Sequence, residues 1–165
     1  MYCNVLTKFE LKGTRMKTKI LILLAIPVMF YACKKDTYTS KPQITVKSIS
    51  STTISQGQVL LFQIEFTDAE GDIQDTLWVQ KFSRTCPNTA GVQFISKNKV
   101  PDFTATPNLK GILEIGYAYN ANVSGYNTIS GCGNKNDTAY FKFWLKDKAK
   151  NISDTITSAN IVLLK

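Results

Sequence analysis

Residues 58–67 read QVLLFQIEFT, with Leu60, Phe62, Ile64 and Phe66 on one parity and Leu61, Gln63, Glu65 and Thr67 on the other. Successive side chains of an extended strand point to opposite faces, so this pattern builds a strand with one apolar face. The same period recurs on both sides of it. Residues 43–49 set Ile44 and Val46 among polar neighbours, and residues 110–119 place Leu113, Ile115, Tyr117 and Tyr119 on one parity. Residues 138–146 alternate Phe141, Phe143 and Leu145 against Tyr140, Lys142 and Lys146. Residues 75–82 carry Leu77, Trp78, Val79 and Phe82, residues 92–95 form a short apolar stretch, and residues 156–164 are rich in β-branched and apolar side chains. Pro101 and Pro107 reduce residues 100–107 to an edge strand or a loop. No segment after residue 42 has a helical period. About seven short strands punctuated by Gly, Asn, Asp and Pro predict an all-β fold, an antiparallel β-sandwich of about seven strands.

Ahead of these strands stands a different kind of segment, residues 17–33, KTKILILLAIPVMFYAC. Lys17 and Lys19 precede an apolar run that ends at Ala32 and Cys33. A positive start, a short apolar core and a small residue at the cut describe an export signal peptide. Residues 20–32 number only 13, whereas a membrane-spanning helix needs about 20. Residues 1–32 are therefore expected to be a removable leader. Met16 is placed for its start, which makes residues 1–15 an over-long reading frame.

A cysteine directly after Ala32 at the end of such a run resembles the lipobox of bacterial lipoproteins. That resemblance implies a diacylglycerol on the Cys33 thiol and a mature chain that begins there. Residues 33–42 are polar and read as a lipidated tether. Their opening, CKKD, is similar to lipoproteins of Bacteroidota-type bacteria. The expected location is the cell envelope, at the outer membrane, on its periplasmic or its surface side.

The formal net charge of +8 overstates the basic character of the domain. Five of the 20 basic residues and one of the 12 acidic ones lie in residues 1–32, so the remainder carries 15 against 11, a net +4. No Lys/Arg cluster is interleaved with an aromatic stripe along the chain, so nucleic acid is not an expected partner. There is no histidine, which excludes His-based triads, His–Cys pairs and His metal ligands. With Cys3 ahead of Met16 and Cys33 lipidated, Cys86 and Cys132 remain. Outside the cytoplasm such a pair is most simply a disulfide. It would close a long loop and pin the Gly/Asn-rich residues 120–137.

Two phrases carry a fold resemblance. Residues 66–73, FTDAEGDI, and residues 147–154, DKAKNISD, are similar to turns of Ig-like domains in bacterial surface lipoproteins, with Lys150 where that pattern has Gly. The resemblance implies one Ig-like sandwich over residues 43–165. In such a sandwich strands run up and down in turn, so both acidic turns belong at one end and both cysteines at the other. Asp68, Glu70, Asp72, Asp147, Asn151 and Asp154 then form a set of hard oxygen donors, and Ca²⁺ takes six to eight such ligands. Asp and Asn also simply favour turns.

No catalytic motif is present. The leading expectation is a non-enzymatic, lipid-anchored binding or accessory module, with another envelope protein or a glycan as partner. Residues 84–91 and 120–137 are its candidate binding loops, with Tyr119 and Tyr126 as stacking aromatics. A structural spacer or assembly subunit without a ligand is the alternative. A second is a carboxylate-based glycan hydrolase, for which Glu65 and Glu114 lie on outward strand positions.

Overall fold

The computed structural model describes residues 37–165. The leader, its start at Met16 and the lipidation site Cys33 lie outside the described residues. Ten strands are present: β1 (Gln43–Ile49), β2 (Thr53–Ile54), β3 (Val59–Asp68), β4 (Thr76–Ser83), β5 (Phe94–Lys99), β6 (Leu109–Tyr119), β7 (Asn127–Ile129), β8 (Asp137–Lys146), β9 (Ile156–Thr157) and β10 (Ile161–Leu163). They form two packed sheets, one ordered β1-β3-β6-β7 and the other β2-β10-β8-β4-β5, with β9 also on β8. The described residues contain no helix.

The expected all-β sandwich is therefore present, and its long strands follow the Ig-like order. The count differs because the short β2 and β7 lie outside the expected strands and the last expected strand is broken into β9 and β10. Two serines shape the last strand. Ser153 Oγ accepts the Leu145 amide at 2.9 Å and Ser158 Oγ accepts the Phe141 amide at 2.9 Å. Each hydroxyl takes a place that a ladder carbonyl would otherwise fill. The sheets are also mixed rather than purely antiparallel. β2 runs parallel to β10, and the short β7, inside the expected loop, runs parallel to β6. Residues 100–107 form a loop, as one of the two expectations for them had it.

The core follows the alternation. Leu60, Phe62, Ile64 and Phe66 of β3 are buried, and so are Phe141, Phe143 and Leu145 of β8. Phe62 bridges the two sheets, with its ring 4.8 Å from that of Phe141 and 5.1 Å from that of Phe143. β4 has apolar residues on both parities, and it turns Leu77, Val79, Lys81 and Ser83 inward. Trp78, Gln80 and Phe82 therefore face outward.

Residues 37–42, part of the expected tether, lie against the domain. The Ala69 amide donates to the Thr39 carbonyl at 3.1 Å, and the Thr67 hydroxyl donates to the Thr37 carbonyl at 2.9 Å.

Candidate functional site

The turn after β3 and the turn after β8 meet at one end of the sandwich, where the Lys148 amide donates to the Asp72 carbonyl at 2.9 Å. Carboxylate oxygens of Asp68, Asp72 and Asp147 come within 4.8 Å of one another there. Asp68 is fully buried. Its Oδ2 accepts the amides of Gly71 at 2.6 Å and Asp72 at 3.2 Å, which folds the turn around it. Gly71 has φ +71°, and a Cβ at this position would lie 2.1 Å from the Thr106 carbonyl oxygen, so glycine alone fits. Asp147 accepts the Asn151 amide at 2.7 Å and its side-chain amide at 2.8 Å. Lys150, standing where the resembled turn has Gly, takes up φ +73°.

Burial pushes the Asp68 carboxyl above the usual carboxylate range. The Gly71 and Asp72 amides oppose that shift, and the charges of Asp72 and Asp147 add to it. Asp68 Oδ1, Asp72 Oδ1 and Gln74 Oε1 are shielded from solvent and have no hydrogen-bond partner among the described residues.

The other three expected oxygen donors do not join. Glu70 accepts the Ser40 hydroxyl at 2.7 Å, and Asp154 pairs with Lys41 at 2.6 Å in the open. Asn151 donates its side-chain amide to the Ser40 carbonyl at 2.9 Å as well as to Asp147. Three of six thus gather. Gln74, which nothing in its sequence neighbourhood marks, adds an unpaired acceptor from the same turn.

At the opposite end Cys86 and Cys132 are bonded, with Cα atoms 5.9 Å apart. Ser83 Oγ accepts the Cys86 amide at 2.9 Å and donates to Asp137 Oδ1 at 2.5 Å. Lys81 reaches Asp137 Oδ2 and the Val92 carbonyl, each at 3.0 Å. Tyr119 is buried and so cannot stack on a ligand. Its hydroxyl occupies the space that a side chain at Gly131 would need.

The outer face of the β5-β4-β8 layer was not legible along the chain. Strand register lines it in rows: Lys99, Thr76 and Lys146; Lys97, Trp78 and Trp144; Ile95, Gln80 and Lys142; then Phe82 and Tyr140. The two Trp rings stack at 5.6 Å, and the Phe82 and Tyr140 rings at 5.2 Å. Lys97 Nζ lies 4.5 Å from the Trp78 ring, Lys142 Nζ 5.1 Å from Phe82, and the Arg84 guanidinium 4.7 Å from Tyr140. These rows hold no carboxylate. Among the described residues Lys97, Lys142 and Arg84 form no ion pair. Basic and aromatic side chains absent as a linear cluster are interleaved here across three strands.

The outer face of the other sheet carries Glu65 and Glu114. Glu65 pairs with Lys110 at 3.4 Å, and Glu114 accepts the Gln63 side-chain amide at 3.2 Å. A groove of about 660 Å³ includes Glu114, Leu61, Asn98, Tyr126 and Asn127 in its lining, but not Glu65. The Tyr126 ring lies directly over Gly116, where a Cβ would come within 2.5 Å of it.

No known family profile matches the chain, and no curated protein matches it. Among solved structures, the sporulation control protein Spo0M from Bacillus subtilis aligns with a TM-score of 0.43 and 5% identity, over 77% of this chain and 51% of its own. The chain thus spans about half the length of that protein.

Proposed function

We propose that this chain is a cell-envelope lipoprotein, held at the outer membrane through Cys33, whose Ig-like domain is a non-catalytic binding module. The observation that carries the binding reading is the outer face of β5, β4 and β8. Two stacked aromatic pairs lie there among Lys97, Lys142 and Arg84, with no carboxylate in the rows. Cations without acidic partners favour an anionic ligand, and flanking rings supply apolar contact beside the charge. An acidic glycan of the envelope fits that chemistry, and export keeps the domain away from nucleic acid. The Cys33 anchor rests on the leader pattern in the sequence.

Two measurements test this reading. Membrane fractionation and intact mass compare the full chain with Cys33→Ala in a host with the lipoprotein pathway. Acylation from residue 33 and release of the variant support the anchor; a soluble, unacylated wild type refutes it. Affinity electrophoresis in a uronic-acid polysaccharide and in a neutral glucan tests the face. Retardation by the acidic polymer alone, weakened at high salt and in Lys97→Ala/Lys142→Ala, supports the glycan. Equal mobility in both polymers removes it and leaves a protein partner or a ligand-free spacer.

A further inference from the structure

The carboxylate end has more acceptors than donors to match them. Asp68 and Asp147 are fully buried, and Asp72 keeps one oxygen shielded from solvent. Basic side chains are near, but they are engaged elsewhere. Lys150 and Lys146 pair with Asp75, Lys99 and Lys148 with Asp102, and Lys41 with Asp154. Among the described residues no ion pair reaches Asp68, Asp72 or Asp147. Three carboxylates this close repel one another, and burial makes each charge costlier.

The unpartnered atoms point the same way. Asp68 Oδ1 belongs to a side chain of the cluster that has no solvent exposure. Asp72 Oδ1 and Gln74 Oε1 lack partners in the same turn. A buried acceptor left unpaired is destabilising, and native structures rarely keep several together. One proton would answer one oxygen. A hard cation answers all the carboxylates at once and cancels their repulsion.

We propose that Asp68, Asp72 and Asp147 bind a calcium ion, independently of any anchor or glycan. Calcium accepts an irregular set of oxygens, whereas magnesium demands near-octahedral geometry and sheds its water reluctantly. The site joins the turn after β3 to the turn after β8. Its ion therefore ties the two sheets together at the end against which residues 37–42 lie. Affinity in the range of extracellular modules, on the order of 0.1 to 1 mM, suits three carboxylates with one partly open member.

The test uses the full chain, stripped with EDTA, dialysed and followed by thermal unfolding at fixed ionic strength. At about 5 mM CaCl₂ the midpoint should rise by several degrees, and MgCl₂ should raise it much less. Asp72→Asn should abolish the rise, because the oxygen it alters has no other partner and the fold is kept. Asp154→Asn, outside the cluster, should retain it. Terbium luminescence supplies a second readout, with Tb³⁺ bound by the wild type, displaced by Ca²⁺ and not sensitised by Asp72→Asn. No rise in the wild type, an equal rise with magnesium, or an equal rise in Asp72→Asn would overturn the site.

Discussion

Lys81 Nζ lies 3.0 Å from Asp137 Oδ2, and solvent reaches neither side chain. The pair sits where β4 and β8 approach the disulfide, with Ser83 on the second carboxylate oxygen. Burial holds the Lys81 ammonium below its usual range, against the opposing bond and charge of Asp137. Removing one partner strands the other. Lys81→Met should cost about 3–5 kcal/mol in urea unfolding. The triple variant Lys81→Met/Asp137→Leu/Ser83→Ala should recover part of that loss, since it leaves no orphaned charge, although the Cys86 amide and the Val92 carbonyl lose their partners. A Lys81→Met protein as stable as wild type would show that the pair is not isolated from water.

The disulfide at this end closes a long loop, with its cysteines at a sequence separation of 46. In the chain-entropy model a loop of that size stabilises the fold by roughly 4 kcal/mol. Cys86→Ala/Cys132→Ala should lose about that much in denaturant unfolding. Hydrogen exchange should speed up first in residues 120–136, whose one strand is the short β7.

Tyr117 predicts an alkaline limit. Its hydroxyl bonds to Ser96 Oγ at 2.8 Å inside the core. Burial pushes its pKa up to about 12, with the Ser96 and Asn98 bonds opposing. In the unfolded chain it titrates near 10. Between those values the folded state holds a proton that the unfolded state has released. The contribution is therefore complete below pH 10 and lost as pH rises through 12. The unfolding free energy from urea titrations should fall over that window by about 1.4 kcal/mol per pH unit attributable to this group. Tyr117→Phe should flatten that part of the slope, and an unchanged slope would contradict the assignment.

Gly71 governs the turn proposed to hold calcium through its backbone. Gly71→Ala combines positive φ with a Cβ driven against the Thr106 carbonyl. It should destabilise the domain by more than about 1 kcal/mol. It should also weaken the calcium response, because Asp68 Oδ2 is held by the Gly71 and Asp72 amides. A normal melting point with a normal calcium response would show that the turn is not constrained as described.

The strands that were legible in the sequence are those with one apolar parity. In β3 and β8 the buried positions are the ones the alternation marks. β4 was legible as a strand but not as a face. Trp78 and Phe82 compete with Leu77 and Val79, and Lys81 turns inward only because Asp137, far along the chain, receives it. β2 and β7 are too short to show a period at all. The two acidic turns could be placed together from strand parity. Which of their six oxygen donors converge could not, because Ser40 and Lys41 draw Glu70 and Asp154 away. The aromatic and basic face depended on register, since each strand contributes one residue to a row.

Thr53 and Ile54 of β2 pair with Val162 and Leu163 of β10, from the far end of the described chain. Ile161 and Leu163 are wholly enclosed. The consequence is one of timing. The core is complete only when β10 lies between β2 and β8, so residues 161–163 serve as the latch. Non-local pairing of this kind makes folding slow, on the order of milliseconds to seconds. A chain threaded N-terminus first through a narrow pore would stay pliable until residues 161–163 emerged, and then lock.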